Sequence, residues 1–502
     1  MTGTASRSSP RPLGRRGGPT RLLLPICLTT ALVPLNSTMV AVALPDLARD
    51  LQAGPGGTLS LVISYLVVTA AVQPVAGSLG DRWGRRAPVL GGAAAFGLLS
   101  VAAAAAASLP VLVLLRCLQA AAGATALPNA MALVRETLPE DQRGRALGQV
   151  GAAATLAAAA GPPIGGLLTA AAGWPLVFLV NGPLALAAVL AGRHHLPRTA
   201  PVRSGRFDVA GALLLLAGLG GGSALLAVRP SGTTLVLGVV AVGSTWLAII
   251  PHELRSPRPV LDPRLFRRRA VSAATVATAA SNLALYVLLL AIPVLLGGAY
   301  GEAALGLLLL PLLGAFCLLS VVGGGLSDRV GRRAPAVAGL TLLSAPLLWL
   351  AANGDIPGIP FLLVSLGLAG AGLGIAQAPV QAAALGAVEP ARAGMVSGVW
   401  STSRYLGSIT GSAVLAALWQ EQPAPRPVFL LAALGAVLSL LAAAFLPGLP
   451  RPRTAQPADS TARSASVDGA SSRRWTSWSV VRTTWGGIRR SWAISRKSRP
   501  ST

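Results

Sequence analysis

The sequence predicts an all-α integral membrane protein of about fourteen transmembrane helices, two pseudo-symmetric six-helix bundles with two helices inserted between them (6+2+6). A shortage of charge, a train of apolar runs and a loop motif that occurs twice predict it. Of 502 residues, 53% are hydrophobic and only 11% charged, with a mean hydropathy of +0.65. A soluble chain carries roughly 25% charged residues, so the solvent for most of this one is lipid. In hydrocarbon every backbone N–H and C=O must be paired internally, which leaves helix bundles or closed barrels. Barrel strands would alternate apolar and polar residues over about ten positions. Here the apolar runs are continuous and near the roughly twenty residues a spanning helix needs.

The runs fall at 22–44, 58–79, 87–107, 109–133, 148–170, 174–192, 208–228, 232–250, 270–295, 303–325, 334–352, 358–380, 394–418 and 427–447. Arg7, Arg11, Arg15, Arg16 and Arg21 precede the first run as they would in a signal peptide. That run exceeds an h-region of about 7–15 residues and reads as an uncleaved first span. With the N-terminus cytoplasmic, inside segments before residue 448 hold 25 basic residues, and outside ones only Arg49, Arg229 and Arg426. One miscounted span would invert every later loop, so the positive-inside rule puts both termini in the cytoplasm.

The repeat divides the chain. Gly77-Ser-Leu-Gly-Asp81-Arg82-Trp-Gly84-Arg85-Arg86-Ala-Pro88 follows span two, and Gly324-Gly-Leu-Ser-Asp328-Arg329-Val-Gly331-Arg332-Arg333-Ala-Pro335 follows span ten, 247 residues on. Gly123 and Pro128 likewise match Gly374 and Pro379, and Gly144 and Gly148 match Gly394 and Gly398. Internal repetition of this kind marks duplicated transporter halves. The expected organisation is a cytoplasmic arm (1–21), an N-terminal bundle (22–194), a linker with two inserted helices (195–268), a C-terminal bundle (269–447) and a disordered basic tail (448–502).

The net charge of +25 lies in short patches between apolar runs, not on a folded basic face, so no nucleic-acid partner is expected. Trp475, Trp478, Trp485 and Trp492 lie among the tail arginines and can dip into an anionic leaflet. Cys27, Cys117 and Cys317 fall in apolar runs and read as small buried hydrophobes; His194, His195 and His252 read as loop residues. No metal site and no cofactor is expected. No Gly-x4-Gly-Lys-Ser/Thr loop appears, which disfavours an ATP-driven pump, and nothing points to an enzyme.

Gly77 and Gly84 permit close helix approach and a tight turn. Asp81, just ahead of span three, can accept from free N–H groups at its start. Arg82 and Arg85 can pair with acids of neighbouring loops. Arg116 and Arg404 are the two charges inside spans. A buried membrane arginine costs at least about 2.5 kcal/mol, so each is expected to face a cavity or a partner. Gln119 lies one turn beyond Arg116.

The doubled motif resembles the cytoplasmic signature of the major facilitator superfamily, and the two inserted helices resemble its fourteen-helix drug:proton antiporter branch. Leu35-Asn36-Ser37-Thr38-Met39 through Pro45 is similar to that branch's first-helix motif, and Arg116-Cys-Leu-Gln119-Ala120 to the superfamily's Arg-x-x-Gln-Gly, with Ala120 in place of glycine. Gly161-Pro162-Pro-Ile-Gly165-Gly166 is similar to the antiporter signature. The resemblance implies that Asp81 and Asp328 belong to clasps that hold one access state, together with Gly324, Arg329, Gly331 and Arg332. Gly161, Pro162, Gly165 and Gly166 would bend and pack where the bundles rock. Asn36, Thr38, Arg116, Gln119 and Arg404 become substrate or coupling residues, at a midplane site lined by spans one, four, five, ten and thirteen.

One departure concerns coupling. Asn36 stands where the branch has an aspartate, and no Asp or Glu lies within any span interior. Asn36 cannot carry a proton, so a titrating group would sit near a span end, at Asp46, Asp81 or Glu136. The expected function is export of drugs or secondary metabolites, driven by the proton-motive force. The substrate would be neutral, amphipathic or acidic, and the carrier a monomer in the cell membrane. The alternatives are a facilitator or importer of a polar metabolite, and a receptor or structural protein with a transporter fold.

Overall fold

Proline and glycine set where the helices begin and end. In many of them Pro falls at the first or second position, where its missing N–H costs nothing. Gly84 and Gly331 close the helices after which the doubled motif turns, at φ +79° and +86°, a backbone conformation that favours glycine. The computed structural model describes residues 19–199, 208–228, 231–256, 263–388, 393–419 and 424–448. The basic arm before residue 19 and the Trp- and Arg-rich tail after residue 448 lie outside these.

Among the described residues the chain forms α1 (Pro19–Asp50), α2 (Pro55–Trp83), α3 (Arg86–Ala104), α4 (Leu109–Thr137), α5 (Glu140–Ala172), α6 (Pro175–Leu179), α7 (Asn181–His195), α8 (Val209–Val228) and α9 (Gly232–Arg255). After a 3-10 turn (Pro263–Arg267) follow α10 (Arg269–Leu296), α11 (Glu302–Leu308), α12 (Leu310–Val330), α13 (Arg333–Asn353), α14 (Ile359–Leu385), α15 (Ala393–Leu418) and α16 (Pro425–Ala443). The sixth and tenth apolar runs are each two helices in series, α6 with α7 and α11 with α12. Eleven helical stretches are long and apolar enough to cross a membrane, fewer than the fourteen expected. In α2 and α8 the apolar part is shorter, Gly57–Gln73 and Val209–Leu225. The remaining one, α15, is diluted by Ser401, Thr402, Ser403 and Arg404.

Inside the helices, hydroxyls turn back onto the backbone. Thr29 donates to the Pro25 carbonyl at 2.8 Å and Thr38 to that of Pro34 at 3.0 Å, which satisfies both hydroxyls within α1 without water.

Packing repeats along the chain. In the first part α1 packs on α5 and α7, α4 on α2 and α3, and α3 on α7; in the second α10 packs on α15 and α16, α14 on α12 and α13, and α13 on α16. The two sets meet through α5 against α11 and α12, α2 against α15, and α1 against α10. Between them, α8 packs on α2, α15 and α9, while α9 rests chiefly on α8. Val236, Leu237, Val240, Leu247 and Ile250 leave α9 apolar on its exposed faces.

Two smaller expectations need correction. The cysteines are half-buried, not buried. The histidines are not loop residues: His194 and His195 lie in the last turn of α7, and His252 in that of α9.

Candidate transport pathway

A cavity of about 130 Å³ opens between the two sets of helices. It is walled by α1, α2, α5, α10, α12, α13, α14 and α15. Apolar side chains dominate, as in most small-molecule sites. The polar points are Ser37 and Thr38 of α1, Tyr65 of α2, Thr278, Ser281, Asn282 and Tyr286 of α10, Gln377 of α14, and Arg404 and Tyr405 of α15. Its single charged lining side chain is Arg404, which is exposed and lies with Cζ 5.4 Å from the Trp400 ring centre. Gln73 donates to the Tyr405 hydroxyl at 3.4 Å and so ties α2 to α15.

Of the residues expected here, Thr38 and Arg404 line the cavity. Asn36, Arg116 and Gln119 do not, and span four contributes no wall, contrary to expectation. The helical period turns Asn36 away from the faces of Ser37 and Thr38. Arg116, 1% exposed, lies behind Tyr65 with its guanidinium 4.0 Å from the ring centre, and 5.6 Å from that of Phe178. It donates to the Asn36 side-chain oxygen and, at 2.6 Å, to that of Gln119; Gln119 in turn donates to Ser100. Both partners of the cation are neutral. The Tyr65 hydroxyl, the Asn36 amide nitrogen and Arg116 Nε are buried without a hydrogen-bond partner. Unpaired buried polar groups are costly and mark a site held for something other than stability.

Glycines hold the helices around this space. A Cβ at Gly161 would overlap Thr38, and one at Gly165 would lie 2.8 Å from the Met39 backbone, so these two seat α5 on α1. Gly166 has no room against the Glu302 carbonyl, nor Gly306 against that of Pro162. This reciprocal contact brings α5 and α11 into backbone register across the two sets. Small residues enable such approach within lipid. The same end carries an ionic cluster. Arg49 bonds Asp46 and Glu302, Asp46 accepts from the Trp174 backbone N–H at 2.9 Å, and the Trp174 indole donates to Asp50 at 2.7 Å.

At the other end lies the doubled motif. Arg85 donates to Glu136 at 2.9 Å and Asn129 at 3.2 Å, and its backbone N–H to Thr199 at 2.6 Å. Its counterpart Arg332 crosses to α14, where a Cβ on Gly386 would overlap the guanidinium. Arg82, Asp328 and Arg329 are exposed, and Gly324 is half-buried. Asp81 does not precede α3 as an acceptor: α2 runs on through Trp83, which places Asp81 in its last turn, and the first turn of α3 has no acid. Gly77 also lies within α2, and the Asp81 side chain lies outside the described residues.

Sequence reasoning missed two features. Gly407 and Gly411 of α15 have no room against the carbonyls of Ala279 and Leu283 in α10, as Gly161 and Gly165 have none against α1. Both pairs share the Gly-x-x-x-Gly spacing, which was there to be read. The tyrosines carried a fainter signal: three of the chain's four line the cavity.

Paired helical sets around a central cavity define a membrane carrier. The chain belongs to the major facilitator superfamily, whose family model matches residues 26–252 and 274–495, and it is a multi-pass membrane transporter. It is 33% identical over 396 residues to the multidrug resistance protein Stp of Mycobacterium tuberculosis, covering 76% of this chain and 72% of that protein. It is 33% identical over 439 residues to the tetracenomycin C resistance and export protein of Streptomyces glaucescens, covering 82% and 80%. The xylose transporter XylE of E. coli, solved in an inward-open conformation, shares the fold at a TM-score of 0.59 and 15% identity, covering 86% of this chain and 97% of that one.

Proposed function

We propose that this chain is an efflux carrier for drug-like molecules, antibiotics or secondary metabolites, working by alternating access and driven by the proton-motive force. The observation that carries the reading is the cavity between the two helix sets, closed at one end by the Gly166–Glu302 and Gly306–Pro162 contacts. Relatives named for multidrug resistance and for tetracenomycin C export support the direction.

In this reading the architecture is 6+2+6. Residues 22–194 and 269–447 are the rocking bundles, the linker 195–268 carries α8 and α9 at the periphery, the termini face the cytoplasm, and the carrier is a monomer in the cell membrane. The basic residues flanking the doubled motif support that orientation. The closed end is then the outer face. Opening it would slide Gly166 off Glu302 and bring the clasp residues Asp81 and Asp328 into play at the inner face.

The test is drug accumulation in cells lacking their own exporters, with and without a protonophore. Expression is expected to lower accumulation, and the protonophore to restore it. Indifference to the protonophore would favour the second reading, a facilitator, which the lack of any acid in a span interior supports.

A further inference from the structure

Resting on the export reading, we propose that the preferred substrate is an aromatic organic anion. Its negative group is read by Arg404 from one bundle and by the Tyr65 hydroxyl from the other, and the membrane potential drives it out.

Arg404 is the one charged side chain in the cavity wall and is exposed to it. Tyr65, 2% exposed, lines the same cavity from the other set of helices with its hydroxyl unpartnered. Behind its ring sits the Arg116 guanidinium, 4.0 Å from the centre. A cation on the face of a phenol draws electron density from the ring, which makes the hydroxyl a stronger donor. Arg116 is not neutralised, because its hydrogen bonds go to the amides of Asn36 and Gln119. Both walls therefore favour negative charge, and low local dielectric strengthens the effect. Tyr286, Phe316 and Tyr405 give the same cavity flat apolar surface.

The energetics follow. An anion leaving a cell that is negative inside moves down the potential, by about 2.3 kcal/mol per charge for each 100 mV. A carrier of anions can then export without a titrating carboxylate of its own, which accounts for Asn36 where an acid is expected.

The experiment uses the full chain in zwitterionic nanodiscs and a panel of fused-ring aromatic carboxylates with their matched carboxamides. Acids are expected to bind at least about tenfold more tightly than their amides. Arg404→Gln should abolish that preference, Arg404→Lys keep most of it, and Tyr65→Phe, which retains the ring, reduce it by about three- to tenfold. Retention of amide binding shows that each variant is folded. Equal binding of acids and amides, or an unchanged preference in Arg404→Gln, overturns the proposal. So does displacement of the acids by anionic lipid in an Arg404-dependent way, which would make this a headgroup site. In everted vesicles, valinomycin with potassium should stop acid uptake and nigericin should not; the reverse overturns the proposal. Acid-selective binding without uptake would instead count against the export reading, and uptake without acid selectivity against this one.

Discussion

Helices α4 and α14 occupy equivalent places in the two halves, yet they are built on opposite principles. Each packs on the second and third helix stretches of its half, and Gly123 and Pro128 match Gly374 and Pro379. At that spacing Arg116 and Gln119 of α4 fall opposite Gly367 and Gly370 of α14. In α14 the position is steric: Gly370 has no room against the Leu312 carbonyl, and Gly374 would place a Cβ 2.6 Å from that of Phe316. In α4 it is electrostatic, a buried cation held by side-chain amides. Duplication kept the packing frame, and one half put charge behind the cavity wall while the other put it in the cavity, on α15.

That comparison can be broken by substitution. The largest expected effect is Gly370→Val, whose side chain would have to displace the backbone of α12. Overpacking costs about 1–3 kcal/mol or more, and loss of folded protein from the membrane fraction would show it. Arg116→Ala should next cut export at least about tenfold while leaving protein in the membrane, because it removes the cation behind the Tyr65 ring. Wild-type export from Arg116→Ala would make α4 as merely structural as α14.

Asn36→Asp sharpens the electrostatic side. Beside Arg116 the new carboxylate would ionise at neutral pH and cancel the cation, so acid binding should fall about three- to tenfold. An unchanged affinity at neutral pH would remove Arg116 from substrate recognition.

A smaller effect is expected at α8, which has no counterpart in either half. Asp208 caps it, accepting from the Gly211 N–H at 2.7 Å and bonding His252 of α9 at 2.7 Å. Burial raises its pKa, but the Gly211 N–H and then His252 and Ser256 outweigh this and hold it below the usual carboxylate value. Its contribution is therefore present above the unfolded pKa and lost as pH falls through the folded one. Asp208→Asn should loosen α8 by about 0.5–2 kcal/mol at neutral pH, read as faster amide hydrogen exchange, and the difference from wild type should shrink on acidification. The smallest effect is expected from Arg49→Ala. Its pair with Glu302 is exposed on the arginine side and worth about 0.5 kcal/mol, so the balance of access states, read by cysteine accessibility, should shift by about twofold.

Fold class was legible because hydrocarbon punishes unpaired backbone, which forces runs of apolar residues that composition reveals. The repeat was legible because glycine at a positive φ has no substitute, so Gly84 and Gly331 keep their mates around them. The candidate site was half legible. Arg116 and Arg404 stood out as charges in spans, but which of them meets the cavity depends on helix rotation, and apolar runs in lipid carry almost no rotational signal. The tyrosines, too far apart to form a motif, come together only when α2, α10 and α15 pack.

The sequence by itself determined a duplicated, helical membrane protein of this superfamily and the identity of its two embedded charges. The tertiary structure alone decided that Arg404 faces the cavity while Arg116 lies behind Tyr65 with neutral partners. The physical reason is that a buried charge is located by its neighbours in space, and here those neighbours come from different helices far apart in the chain.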